Sequence, residues 1–393
     1  MHSSEFLNHP HFETYLITLA LGLLLLGGAA LRLYVVNNTT VDTPYRVDAA
    51  DYYNYAYNLR HYGVYSRDGR SVLKRHAAPV PDAVRSPGYP LFLTLFALLL
   101  AVVFCMLAAV ERWRHRPGSA ALVAGLLLGA ATLTRPVLEL YLPLLLAFMV
   151  AGLKTPHRWR PAVLLAAGFA LVYVPWVVRN DQAIGHIHDT GLVIGTLAAG
   201  MYPDLMYRDE PVSLGVPYRF DPHAAEITQS VSSTLEAIAR RFEHHPWREL
   251  RWYLFGKPVT LWSWNLVGGA GDVFVYDVLA TPYAHPGFLR PTHALMYGLH
   301  WLLVVLALLA SIGVWLPRAD RYFKRSGLFL LRAVSLLLFY NTALLMVGAP
   351  YPRYLIPFLP MVYGMAGVAV CALAQEAAKR RRGAFPDTAG EPA

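Results

Sequence analysis

Cysteine and charge are what this sequence is short of. Its two cysteines, Cys105 and Cys371, both stand inside apolar runs, which excludes a disulfide-stapled secreted scaffold. Only 15% of the residues are Asp, Glu, Lys or Arg, against about 25% in an ordinary globular chain. Soluble domains of this length would lack a water-facing surface. The chain also contains no Gly-rich phosphate loop, no Walker motif, no solenoid period and no low-complexity tract. Its net charge of +9 is accounted for by membrane topology, so no nucleic-acid partner is expected. With 56% hydrophobic residues, the composition describes an all-α polytopic membrane protein.

Crossing the hydrocarbon core takes about 20 helical residues. The apolar runs that approach this are Tyr15–Val36, Tyr89–Val110, Ala120–Leu133, Val137–Leu153, Ala162–Val178, His293–Leu316, Leu328–Val347 and Tyr354–Leu373. About eight transmembrane helices are therefore expected, the third and fourth sharing a turn at Thr134-Arg135-Pro136. Basic residues follow the second span (Arg112, Arg114, Arg116), the fourth (Lys154, Arg158, Arg160), the sixth (Arg318, Arg321, Lys324, Arg325) and the eighth (Lys379 to Arg382). Short basic loops mark the cytoplasmic side. Both termini are then expected in the cytoplasm, although the first fourteen residues contain no Lys or Arg. The first run lacks a basic leader and a small-residue cleavage site and reads as an uncleaved span rather than a signal peptide. The expected division is an N-terminal membrane domain (1–178) carrying a catalytic outer loop (37–88), an outer-face region (179–291), C-terminal helices (292–375) and a polar cytoplasmic tail (376–393) that reads as a disordered end. A helix-like stretch stands near Val231–Phe242, and Asn37-Asn38-Thr39-Thr40 holds overlapping sequons.

The first outer loop has the densest chemistry, Val47-Asp48-Ala49-Ala50-Asp51-Tyr52-Tyr53-Asn54-Tyr55. As a helix it places Asp48, Asp51 or Tyr52, and Tyr55 on one face. A carboxylate just outside a span is placed to act as general base towards a hydroxyl acceptor. Equally, Asp48 can cap an interfacial helix whose tyrosines sit among lipid headgroups. Arg85-Ser86-Pro87-Gly88-Tyr89-Pro90 opens the second span. There Arg85 can grip a lipid-linked phosphate through its guanidinium fork, or snorkel to the interface. Arg135 and Arg353 end and open spans on the same outer side. Together these cations suggest a site for an anionic lipid carrier. The outer histidines (His186, His188, His223, His244, His245) match no ligand spacing; no cofactor is indicated, and a divalent metal has no pattern to support it.

In order along the chain, the acidic loop, Arg85-Ser86-Pro87-Gly88-Tyr89-Pro90, Leu133-Thr134-Arg135-Pro136, Pro175-Trp176-Val177-Val178-Arg179-Asn180 and Arg353-Tyr354-Leu355-Ile356-Pro357 resemble the GT-C superfamily of integral-membrane glycosyltransferases. The likeness extends over most of the chain. It points to the bacterial branch with the lipid A aminoarabinose transferase, protein O-mannosyltransferases and rhizobial core-lipopolysaccharide transferases. His244-His245-Pro246-Trp247 through Lys257-Pro258 and Leu261-Trp262 also resembles the stretch before the later spans of those proteins. The resemblance implies transfer of a sugar from a polyprenyl-phosphate donor to a lipid, glycan or protein acceptor on the outer face. Asp48 matches the family's catalytic acid, with Asp51 its nearest rival. Arg85 matches the donor-phosphate contact, joined by Arg135 and Arg353. Tyr52, Tyr55 and Tyr89 are the candidate contacts for sugar or acceptor.

Family members have eleven to thirteen spans and a second outer acidic motif. Here the start of a second span joins the end of a later one within Thr94–Val103, the pattern of an internal deletion, and that acidic motif is missing from its usual place. Two other readings therefore stand beside the enzyme. One is a shortened, inactive paralogue acting as a scaffold. The other is a transporter or flippase of a lipid-linked saccharide, for which the nearly charge-free mid-span stretches are poorly suited.

Overall fold

Small residues at every fourth position create the closest helix contact. Ala121, Gly125 and Gly129 line one face of α3 (Pro117–Thr134), and Gly168 faces them from α5 (Trp159–Ile184). A Cβ on Gly125 would stand 2.0 Å from the Leu165 carbonyl oxygen, and one on Gly168 2.2 Å from that of Leu122. Only hydrogen fits at such a crossing, which is how apolar helices associate when burial from water cannot drive them. Gly118 meets Leu164, Gly125 meets Leu165 and Phe169, and Gly129 meets Val172, so α3 and α5 run parallel. The intervening α4 (Tyr141–Gly152) makes the return.

The computed structural model describes residues 12–43, 45, 48–73, 78–87, 117–152, 159–187, 190–264, 278–323 and 325–384. The second expected span, Tyr89–Val110, lies outside these residues together with Tyr89 and the joint at Thr94–Val103. Before α3 come α1 (Phe12–Asn37) and α2 (Asp48–Tyr62). After α5 come α6 (Gly191–Gly200) and α7 (Val231–His244). Next, α8 (Pro246–Arg251) continues through a π turn (Trp252–Gly256) into α9 (Lys257–Leu261). The long helices α10 (Leu289–Gly313), α11 (Arg325–Val347) and α12 (Leu359–Ala384) complete the order.

The chain is mostly helical, and Trp159–Ile184, Leu289–Gly313, Gly327–Val347 and Pro352–Lys379 are long and apolar enough to cross a membrane. They fall on the fifth to eighth expected spans. Gly22–Asn37, Gly118–Thr134 and Pro136–Gly152 are apolar but shorter, and cover the first, third and fourth. Large side chains on their outward faces, among them Val163, Leu171 and Leu309, stay exposed; Leu171 retains 67% of its surface. With four helices long enough to span, an apolar exterior of this extent suits a multi-pass membrane protein.

Two features depart from the sequence-based expectation. A small antiparallel ribbon pairs β1 (Thr40–Val41) with β2 (Val278–Ala280), so the chain is not wholly α. The tail expected from residue 376 is helical as far as Ala384, because Glu376-Ala377-Ala378-Lys379-Arg380 are strong helix formers continuing an existing helix. By its internal contacts the chain divides into two compact units, Met1–Pro44 with Gly269–Gly298 and Tyr45–Gly268 with Leu299–Ala393; the ribbon ties the first unit's two segments together.

Local chemistry ends the helices. Pro136 disfavours helical backbone in the residue before it, and Arg135 is accordingly extended, at φ −136 and ψ 101. Gly185, at φ +69, stops α5, its N–H donating to the Asp181 carbonyl at 3.0 Å. At the end of α11 the Lys257 ammonium donates to the carbonyls of Met346 (2.8 Å), Val347 (3.3 Å) and Gly348 (2.9 Å). These are terminal acceptors that the helix cannot satisfy by itself. Beside them Gly200 packs on Gly348, where a Cβ would stand 2.1 Å from its carbonyl oxygen.

Candidate functional site

Two acids in the first turn of α2, Asp48 and Asp51, and Arg60 and His61 in its last match the helix dipole at both ends. Gly63, at φ +67, turns the chain back. The inward face then carries Asp48, Asp51, Tyr55 and Asn58, the pairing of positions expected from the helical spacing. Tyr55 and Asn58 are completely buried.

Arg85 returns to this face and takes both acids. Its Nη2 donates to Asp48 Oδ1, while Nη2 and Nε reach Asp51 Oδ2 at 3.2 and 3.3 Å. The Tyr52 ring lies 5.8 Å from the guanidinium carbon. Among the described residues none reaches Nη1. The Asp48 side chain keeps 47% of its surface, Asp51 24% and Arg85 19%, so Asp48 is the carboxylate an incoming molecule can touch. Burial acts to lower the Arg85 pKa, but Asp48, Tyr52 and Asp51 together outweigh it, and the net shift is upward.

A polar scaffold fixes this triad. The Tyr55 hydroxyl donates to Asp82 and accepts the Arg85 backbone N–H at 3.2 Å. Asp82 also accepts from the backbone N–H of Arg67 (2.8 Å) and Val84 (3.2 Å). Tyr65 stacks on Tyr55 with ring centres 4.2 Å apart and donates its hydroxyl to the Arg85 carbonyl at 3.1 Å. Burial pushes the Tyr55 and Tyr65 phenols well above the ordinary tyrosine range, helped at Tyr55 by the bond to Asp82. From α5, Arg179 donates to the carbonyls of Asp82 (2.9 Å) and Tyr65 (3.0 Å), and lies over the Tyr65 and Trp176 rings. The loop is thereby clamped to the C-terminal end of α5.

Because α3 and α5 are parallel, Arg135 leaves the bundle at the same end. Its Nη1 donates to the Tyr354 carbonyl at 3.1 Å, and Arg353 lies 4.7 Å over Tyr351 and 5.7 Å over Tyr354. The structure thus brings Asp48, Asp51, Arg85 and Tyr52 into contact, and groups Arg135 with the Tyr351–Tyr354 turn that carries Arg353, separately from that triad. Tyr55 requires a correction: fully enclosed and bonded to Asp82, it supports the loop and cannot touch a sugar. Sequence reasoning missed Asp82 and Arg179 as scaffold, and Glu139, whose carboxylate hydrogen-bonds Tyr173. An acid directly after the Thr134-Arg135-Pro136 turn was the available signal for Glu139; it lay hidden inside the fourth apolar run. Among the described residues no three His, Cys, Asp or Glu side chains converge on a metal position.

Comparison of the chain with protein-family models, with curated proteins and with solved structures returned no significant match.

Proposed function

We propose that this chain is a multi-pass membrane glycosyltransferase of GT-C type, taking its sugar from a polyprenyl-phosphate donor. The acceptor is a lipid, glycan or protein on the outer face of the inner (plasma) membrane. The observation carrying this reading is the triad: a half-open carboxylate tied to a second acid by one guanidinium, clamped at the bundle end where Arg135 and Arg353 also lie. On this reading the three short apolar helices also cross the bilayer, and with the four long ones and Tyr89–Val110 make eight spans with cytoplasmic termini.

Asp48 accepts the proton of the acceptor hydroxyl or amine as that atom attacks the anomeric carbon. The bond from that carbon to phosphate oxygen breaks, its electron pair leaves with polyprenyl phosphate, and the anomeric centre inverts. Arg85 orients Asp48 and Asp51 through Nε and Nη2 and offers Nη1 to the departing phosphate. Arg135 and Arg353 add positive charge for the same anion. No covalent nucleophile is needed, because a phosphate monoester leaves as a stable anion.

Turnover of polyprenyl-phosphate sugars by the reconstituted full chain tests this. General-base loss typically lowers rate about 10²–10⁴-fold, the drop expected for Asp48→Asn, with a smaller one for Asp51→Asn. Near-normal turnover by Asp48→Asn would remove the assignment. The pairing of Arg85 with both acids leaves neither Asp48 nor the guanidinium wholly disengaged, which favours the shortened-paralogue reading as the second choice. A wild-type chain without turnover on any such donor would select it.

A further inference from the structure

At the opposite end of the bundle, a cavity of about 770 Å³ opens between the last turn of α4 and the first turns of α11. Phe148, Trp315, Phe323 and Phe329 form its walls, and Arg332 and Asp320 are its charged residues. Phe148 stacks on Phe329 with centres 4.9 Å apart and meets Trp315 edge-on at 5.9 Å. Trp315 keeps 42% of its surface, so the space opens outward. We propose that this cavity binds the headgroup phosphate of an anionic glycerophospholipid, with the start of its acyl chains against the aromatic wall.

Arg332 carries the argument. It lies inside the candidate span Gly327–Val347, where a cation is expensive without a counter-charge. Its Nε donates to the Val314 carbonyl at 2.8 Å, and its guanidinium carbon lies 5.7 Å from the Trp315 ring. These contacts use one N–H and one face. Among the described residues its two Nη atoms have no hydrogen-bond partner, and neither is enclosed without one. Arg332 lines the cavity and keeps four donors in a flat fork free of protein partners, the geometry that suits a phosphate. Arg318 and Arg321, in the turn Pro317–Arg321, and Lys379, 4.7 Å over the Tyr322 ring, add cations around the opening. Asp320 and Glu376 are the acids there, and Glu376 accepts the Tyr322 hydroxyl at 2.8 Å. Basic groups at a bilayer surface attract anionic lipids. A bare phosphate ion would leave the aromatic wall idle, and a zwitterionic headgroup brings no net charge to Arg332.

Native mass spectrometry of the detergent-purified full chain tests this by titration with phosphatidylglycerol, phosphatidylcholine, polyprenyl phosphate and inorganic phosphate. Wild type should hold phosphatidylglycerol at least roughly tenfold better than phosphatidylcholine, the order expected of charge-assisted hydrogen bonds. Arg332→Gln should abolish that preference, and Arg332→Lys should keep part of it. Ala151 also lines the cavity, so Ala151→Phe fills it while leaving Arg332 in place and should lose the lipid too; it decides the matter alone if Arg332→Gln does not fold. Equal retention of the two phospholipids, or wild-type binding by Ala151→Phe, would overturn the proposal. So would release of the lipid by an equal concentration of inorganic phosphate, which marks a simple anion site. Stronger retention of polyprenyl phosphate than of phosphatidylglycerol would overturn the glycerophospholipid assignment.

Discussion

Arg179 gives its guanidinium to the backbone of the loop that carries Asp48 and Arg85, bonding the carbonyls of Asp82 and Tyr65. A hydrogen bond to a charged group contributes about 1.5–3 kcal/mol. Arg179→Gln should therefore speed amide exchange across residues 48–87 by roughly tenfold or more while leaving α5 protected; unchanged exchange would show that the loop holds itself. Lys257 offers a second test at this scale. Burial pushes its ammonium down to about 7, with Glu249 acting in the opposite direction. Arg241 forms an ion pair with that carboxylate at 3.3 Å, and the Tyr253 ring lies 3.6 Å from the Lys257 Nζ. Since the folded form binds this proton less tightly than the unfolded form, stability is gained as pH rises from 7 towards 10.5 and lost as pH falls back through 7. The slope reaches up to ~1.4 kcal/mol per pH unit. Urea unfolding between pH 7 and 9 should show it in wild type and not in Lys257→Met. Of these residues, the spacing of Asp48, Asp51 and Tyr55 was legible from helical periodicity. Asp82, Arg179 and Lys257 were not: each works by donating to or accepting from backbone groups distant in sequence, and such partners leave no local pattern.

Helices were more legible than their contacts. The expected stretch at Val231–Phe242 is α7, because Ser230 caps it through a reciprocal bond with Ser233, and the four long apolar helices overlap the expected runs, extending up to six residues beyond them. What periodicity could not give was which helices meet. Gly125-Leu126-Leu127-Leu128-Gly129 is the visible sign of a close crossing, yet only the structure identifies Gly168 as its partner. Gly125→Ala should force the pair apart and destabilise the protein by about 1–3 kcal/mol, the range for an overpacked core. Thermal unfolding in detergent measures it; an unshifted midpoint would mean that the crossing is looser than the 2.0 Å approach indicates. Gly191–Gly200 was likewise not anticipated as an element. Ten apolar residues within an outer region are too few to signal a span, and its place comes from Gly200 packing on Gly348.

For the whole molecule, sidedness is the testable property. Arg135, Arg179 and the acidic loop lie at one end of the bundle and Arg318, Arg321 and Arg332 at the other; the positive-inside rule predicts that the second end faces the cytoplasm. In a Cys105→Ala, Cys371→Ala background, an impermeant thiol reagent should label Leu73→Cys in intact cells and spare Arg318→Cys. Leu73 keeps 86% of its surface, so failure to label there would reverse the orientation. Loop charge predicts this sidedness from sequence, whereas nothing local signals the pairing of residues 40–41 with 278–280, which depends on a long-range ribbon. The parallel pair α3 and α5 also has a consequence in time. Translation at roughly 5–20 residues per second delivers Gly168 a few seconds after α3 is complete, whereas α11, which supplies Phe329 and the Ala333 carbonyl for Tyr141, follows on the order of tens of seconds later. Nascent chains stalled before residue 325 should accordingly hold α3 against α5 while α4 still waits, its tyrosine without the acceptor it keeps in the finished protein.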